Sequence, residues 1–393
     1  MVKYLEDFSR GYPISAEEPA QQTWLDAFAS FGGNGGKLHL GDGRFEAPQV
    51  RIPDGLSLEG NGHGTEIVHP WRSNEPSLNA FGSSYVEIAG LTVDGGRQYV
   101  RYADKPFLNA EIVVDGINNR VHHVTVRNFN AYGIAVAGPD ASITDNHVIG
   151  ARLGMPYGSN HGPDLGSIYG ILTVASRFCT RPTISRNHVS GTRSAGIVAG
   201  GSFLDISGNQ LDSCHMGTLP DGTYPGEVAT GGGQLAIGLT VASNDDPTPI
   251  GSFAVAIKGN LIGGSSGPSV HGIEINRCYD VVCGQNIVTG QTAHGISLVQ
   301  VSNASLAGNV ASGCSLAGVR VAEGSAGVVM SGLAARGNKW GVYIESGIAM
   351  PVIVSNSTFL YQQECNLLNL SATAHIVMRG NIWDSLDSMA DRN

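Results

Sequence analysis

The sequence predicts an all-β chain wound as a single-stranded right-handed parallel β-helix, a solenoid of about ten to twelve coils with an N-terminal capping helix. Three observations carry that expectation. A phrase Gly-Ile/Val-x-Ile/Val returns in segments beginning at Tyr132, Ala195, Ile237, His271, His294, Ala317 and Trp340, and the last four begin 23 residues apart. Asparagine returns about half a coil away, at Asn128, Asn146, Asn187, Asn209, Asn260, Asn286, Asn309, Asn338, Asn356 and Asn381, most often after Gly or Arg. Glycine numbers 55 in 393 residues, about twice ordinary usage and without collagen's strict period. A unit of that length holds a few short β-branched strands and cannot bury its own apolar face, whereas stacked units can. Asparagine suits the role because its amide bonds along a stack and because it tolerates a left-handed turn.

The elements follow in chain order. Residues 18–31 place Trp24, Leu25, Ala27, Phe28 and Phe31 at helical spacing, and the run GGNGG after Phe31 stops the pattern. A solenoid has an open apolar end, so this amphipathic helix is read as its cap. The expected organisation is one domain over 1–393, with the cap at 1–36, coils over 37–385 and a tail at 386–393. No linker-like stretch interrupts it, and repeat arrays lengthen without new cores. KLHLGDGRFEA, VRIPDGLSLEGNG and VEIAGLTVDGG then read as strand–turn–strand units. Long excursions at 95–111, 150–168, 213–234 and 243–252 break the repeat; their Tyr, His, Asp and Arg content suits loops that wall a sugar-binding groove.

The stretch from residue 20 to 96 resembles the N-terminal segment of the pectate-lyase-like superfamily. The matching residues are the helix, the Gly35–Gly36 turn, Gly41 and Gly43, and Ile52-Pro53-Asp54-Gly55 through Leu58-Glu59-Gly60. The remainder of the chain matches only as repeat grammar. The resemblance implies a carbohydrate-active β-helix and, as in pectate lyases, calcium held by clustered carboxylates. Asp94, Asp104, Lys105, Asp115, His122, His123, His161 and Asp164 would be the residues for it. None has a dedicated calcium-loop spacing, so no metal or cofactor is expected, with calcium as the alternative. The Asp-Pro-His string of alginate epimerases is absent, as are the Asn-Thr-Asp and Arg-Ile-Lys strings of polygalacturonases, so no catalytic residue is carried over.

Stacking equivalent residues gives an inward ladder of Ile134, Ile197, Leu239, Ile273, Ile296, Val319 and Val342. Strand alternation then points Ala135, Val198, Thr240, Glu274, Ser297, Arg320 and Tyr343 outward. This face is bland up to Glu274 and polar beyond it. Glu274 is the expected acid or base, with Glu323 or Glu345 as partner carboxylate and Arg320 orienting or stabilising charge. His271 and His294 hold matching places in successive coils and form an alternative acid–base pair. Tyr343, Asn276, Arg277 and Gln300 are read as substrate-binding, joined by Asp164, Asp221, Asp245 and Asp246 from the excursions.

A net charge of −10 without a Lys/Arg cluster makes nucleic acid and anionic membrane poor partners, and no apolar run reaches the length of a membrane span. The six cysteines lack CxxC or zinc spacing and read as buried thiols. The opening residues carry no signal-peptide pattern, so a cytoplasmic or virion-borne chain is expected unless a signal was removed. The functional expectation is a carbohydrate-active enzyme that cleaves or rearranges a glycosidic bond by carboxylate acid–base chemistry. It would be a glycoside hydrolase or an intramolecular glycosyl transferase such as the β-helical inulin fructotransferases. A polysaccharide lyase or uronate epimerase is the alternative. From a different class, a non-catalytic glycan-binding phage fibre or adhesin stays open, with a homotrimer as the expected oligomer, packed through Ala135, Ala137 and Val198.

Overall fold

The structure is a computed structural model that describes residues 2–5, 17–70, 75–96, 110–129, 131–150, 167–173, 179–214, 233–238, 251–267, 269–348, 350–384 and 390–391. The chain divides into two compact units, Met1–Arg193 with Val241–Thr248, and Ser194–Thr240 with Pro249–Asn393. Each is built from three parallel sheets, and each coil contributes one strand to each sheet. Among the described residues one α-helix is present, Glu17–Ala29.

In the first unit the helix behaves as a cap. Trp24, Ala27, Phe28 and Phe31 are buried, and the Trp24 indole N–H donates to the Glu46 carbonyl at 2.9 Å. Leu25 departs from the expected stripe: it is 42% exposed, because the buried face is defined by Trp24, Ala27, Phe28 and Phe31 alone. The stretch expected to be only cap also contains a strand, Val2–Tyr4, paired in parallel with Lys37–His39. Behind it the first sheet climbs in register through Lys37, Ser57, Glu87, Arg120, Ser142 and Thr183.

In the second unit a coil runs from His271–Asn276 in the third sheet to Cys278–Gly284 in the first and Ile287–Thr289 in the second. The next coil then begins at Ile296. The interior is a set of ladders. Leu235, Ile273, Ile296, Val319, Val342 and Leu367 stack in register along the third sheet, all fully buried. Leu235 stands where Leu239 was expected. The phrase at Ile237 is not a coil member, because its Gly238 has φ +78° and serves the turn after the strand Gly233–Ile237. Leu239 lies outside the described residues. In the first unit the strand Ser167–Thr173 supplies a phrase missed by the repeat count, with Ile171 paired to Ile134.

The glycine of the repeat is required by a close approach. A Cβ on Gly295 would lie 2.6 Å from the Gly318 carbonyl oxygen and 2.9 Å from the Ala311 Cβ. The asparagines divide by turn position. Between first and second sheets, Asn209, Asn260, Asn286 and Asn309 are buried and each Nδ2–H donates to the next Oδ1, at 3.0, 2.9 and 3.0 Å. Asn146 donates likewise to Asn187 at 3.0 Å in the first unit. Asn338 occupies the turn after the second sheet, in a ladder with Cys314 and Gln362. The left-handed conformation belongs to the residue before the ladder asparagine, as at Gly259 (φ 63°), Gln285 (φ 58°) and Gly308 (φ 65°). That explains the preceding glycines; the second reason given for asparagine holds at Asn128 (φ 52°) and Asn356 (φ 48°), and not at the ladder asparagines. The expected tail is partly structured, since Ala390–Asp391 pairs with Leu368–Asn369.

Candidate active site

The outer face of the third sheet in the second unit reads, rung by rung, Val198, Ala236, Glu274, Ser297, Arg320, Tyr343 and Leu368. Ala236 replaces the expected Thr240, which follows from the corrected register. Val198 and Ala236 are buried and apolar; the face turns polar at Glu274. In the first unit Ala135 is buried as well, so Ala135 and Val198, expected to pack between subunits, are covered within the chain.

Glu274 alternates with the core residues Ile273 and Ile275 and is 9% exposed. One oxygen receives the Gly233 backbone N–H, while Oε2 is buried and has no hydrogen-bond partner. Burial raises its pKa above the ordinary glutamate value, opposed by the Gly233 N–H and the Arg320 charge. Burial thus shifts this carboxyl toward its protonated form, the form that has a proton to give. Two residues on, Asn276 also holds a buried, unpartnered Oδ1.

Two rungs from Glu274, Arg320 is fully engaged with an acid. Its Nε–H and Nη2–H both reach Glu345 Oε1, at 2.9 and 2.8 Å, and Nη1–H donates to Ser297 Oγ at 3.2 Å. The other Glu345 oxygen accepts the Glu323 backbone N–H at 3.3 Å. Glu345 is therefore a clamp on Arg320 and the adjoining turn. Glu323 has an exposed side chain at that turn. Strand spacing puts the Glu274 and Glu323 rungs about 10 Å apart at the backbone.

The histidines stack as the repeat requires, His271 on His294 at 5.3 Å between centroids. Each Nδ1 accepts a backbone N–H from the next coil, from His294 at 3.3 Å and from Ala317 at 3.0 Å. His294 is 5% exposed, and burial, with smaller contributions from His271 and Arg320, pushes its pKa down to about 2. It is neutral at working pH. Because Nδ1 accepts, the ring proton sits on Nε2. His294 is thus a fixed hydrogen-bond donor and not half of a titrating pair. Tyr343 stacks 6.0 Å from His294 and 5.1 Å from Trp340, whose indole N–H donates to Glu364 at 2.9 Å.

Arg277 and Gln300 occupy the turns that end successive third-sheet strands, with φ 53° and 52°, and Arg277 Nε–H donates to Gln300 at 3.0 Å. Asp164, Asp221, Asp245 and Asp246 lie outside the described residues, as do Asp104, Lys105 and His161. Asp94 is bonded to Arg127 and Asn128, and His122 faces Glu87 and His123. Among the described residues no group of three or more His, Cys, Asp or Glu side chains is placed to hold a metal ion. Sequence reasoning passed over Ser297 as a partner and Trp340 as an aromatic wall. Both stand in the repeat phrases, so rung-by-rung alignment held the signal.

No family model matches the sequence, and no curated protein matches it. Solved structures do. An α-1,3-glucanase catalytic unit from Streptomyces thermodiastaticus aligns with TM-score 0.68 and 13% identity, over 98% of this chain and 69% of that one. The A-module of a mannuronan C-5 epimerase from Azotobacter vinelandii aligns with TM-score 0.67 and 15% identity, over 98% and 100%. A surface adhesin of Streptococcus pneumoniae aligns with TM-score 0.61 and 15% identity, over 96% and 91%. The fold these structures share with the chain is the right-handed parallel β-helix expected from the repeat. At these identities the likeness establishes architecture, and chemistry has to be argued from the residues.

Proposed function

We propose that the protein is a carbohydrate-active enzyme that cleaves or rearranges a glycosidic bond, with Glu274 as the proton donor to the leaving oxygen. The observation that carries this reading is the buried Glu274 carboxyl with an unpartnered Oε2 on an otherwise continuous ladder. A solenoid gains no stability from such a group, since a buried unpaired polar atom is a cost. The protonated state that burial favours is the one an acid catalyst needs at neutral pH. Glu323 is the partner carboxylate, because Glu345 is committed to Arg320. Tyr343 and Trp340 offer ring faces to pyranose C–H groups. The α-1,3-glucanase among the similar structures is compatible with this reading, the mannuronan epimerase stands for the uronate alternative, and the adhesin marks the non-catalytic one.

The test is turnover of a panel of poly- and oligosaccharides, followed by reducing-end release and by absorbance for unsaturated products. Glu274→Gln keeps shape and hydrogen-bonding capacity, and it is expected to lower turnover by about 10²-fold or more without loss of fold. An active wild type with an equally active Glu274→Gln variant would sink the assignment. An unsaturated-uronate chromophore would move the reading to a lyase.

A further inference from the structure

We infer that the row Glu274–Ser297–Arg320–Tyr343 takes an uncharged, hydroxyl-bearing sugar and selects against uronates. This rests on the glycan reading above and adds the substrate's charge class. Arg320 supplies the guanidinium in the row. Recognition of a carboxylate by arginine needs an uncommitted planar edge for paired, charge-assisted bonds. Here the Nε–Nη2 edge already converges on Glu345 Oε1 and Nη1 donates to Ser297, so that edge and its charge are paired before substrate arrives. The second Glu345 oxygen is held by the Glu323 N–H, which fixes the clamp.

The unmet hydrogen-bonding capacity lies elsewhere. Glu274 Oε2 and Asn276 Oδ1 are both buried and unpartnered, on the same outward alternation two residues apart. A hydroxyl donates and accepts, and so can satisfy an amide and a carboxyl together; a carboxylate only accepts. A carboxylate here could accept from protonated Glu274 but has no hydrogen to give Asn276 Oδ1, and it would bring a negative charge into a poorly hydrated face. Burial of Glu274 acts in the same sense by disfavouring negative charge at that position. His294, held neutral with its proton on Nε2, adds a donor without adding a charge. Arg277 has no carboxylate partner among the described residues. It sits in the turn beyond the row, exposed and bonded to Gln300, so it borders the face and does not line it.

The experiment is affinity electrophoresis of the full chain through gels containing dextran, laminarin or soluble α-1,3-glucan, against alginate and polygalacturonate at matched ionic strength. Retardation by at least one neutral glucan and by neither polyuronate is expected. Retardation by a polyuronate, abolished in Arg320→Ala, would overturn the inference, as would indifference to every glycan in the panel. Because binding is read without turnover, a chain that binds glucan but cleaves nothing keeps this inference and loses the enzymatic reading. A chain that turns over a polyuronate does the reverse. A second variant isolates the clamp: Glu345→Gln releases Arg320 and is expected to raise affinity for oligogalacturonates by about tenfold. A folded Glu345→Gln variant, checked by its circular dichroism melt, with no gain would show that the ion pair is not the selector and would also overturn the proposal.

Discussion

At the scale of single residues, the face beyond Ala236 trades stability for chemistry. Burial lifts the folded pKa of Glu274 above the ordinary glutamate value of 4.5, so its contribution to stability is greatest below that pH and is lost as pH rises through the folded value. Glu274→Gln escapes that loss. Its melting temperature is expected to match wild type near pH 4 and to exceed it at higher pH, the difference levelling off once the folded carboxyl has lost its proton, measured by thermal unfolding across a pH series. His294 has the opposite sign of shift. Burial pushes its folded pKa down to about 2 from the ordinary histidine value of 6.5, so the unfolded chain takes up a proton below pH 6.5 that the folded chain refuses. Stability is therefore present above 6.5 and falls as the solution is acidified. Wild type should lose about 1.4 kcal/mol per pH unit more than His294→Asn between pH 6 and pH 4. Asparagine supplies an acceptor for the Ala317 N–H without the titration, and parallel denaturation curves for the two proteins would refute the account.

At the scale of elements, the turns hold the coils in register through their amides. Asn286 receives the Asn260 amide and backbone N–H on Oδ1, and its Nδ2–H donates to Asn309 and to the Ile257 carbonyl. Removing the amide leaves buried donors and acceptors on both neighbouring coils. Asn286→Leu is expected to cost about 2–5 kcal/mol, since two or more buried groups lose partners at about 1–3 kcal/mol each. Exposed Asn303, on the outer face of the next coil with φ 59° and bonded to Asp280, should cost under about 0.5 kcal/mol when replaced by glycine, which keeps that backbone conformation. Chemical denaturation of the two variants gives the comparison, and equal losses would remove the asparagine ladder from the account of stability.

At the scale of the molecule, strands dominate and the interior is closed to reagents. All six cysteines are free and buried, as the sequence suggested, and burial pushes the thiols of Cys179, Cys278 and Cys283 up to about 12 and that of Cys314 to about 11. The thiolate is the reactive form. The native protein should therefore show no fast reaction with a thiol-specific disulfide reagent at pH 8, and all six groups should react after denaturation. Fast labelling of the native chain would mean that the ladders open. Far-ultraviolet circular dichroism should be β-dominated, with one short helix contributing little.

The repeat period, the capping helix and the outward position of Glu274, Ser297, Arg320 and Tyr343 were all legible in the sequence, because strand alternation and stacking are local rules that repeat. Where the local signal was ambiguous the reading slipped. Gly238 looked like the glycines of the repeat but serves a turn, so Leu239 displaced Leu235 and Thr240 displaced Ala236. Leu25 fitted a helical period whose buried stripe excludes it. What tertiary structure alone decided is which groups are free to act. Sequence spacing offered Glu274, Glu323 and Glu345 as equals, and His271 with His294 as a titrating pair. Contacts from neighbouring coils commit Glu345 to Arg320, hold His294 neutral beneath a backbone N–H, and leave Glu274 buried with one oxygen unmet. A side chain's protonation and its spare hydrogen bonds depend on what lies across the stack, some 23 residues away along the chain. That separation is why spacing locates the face and only the assembled coils assign its chemistry.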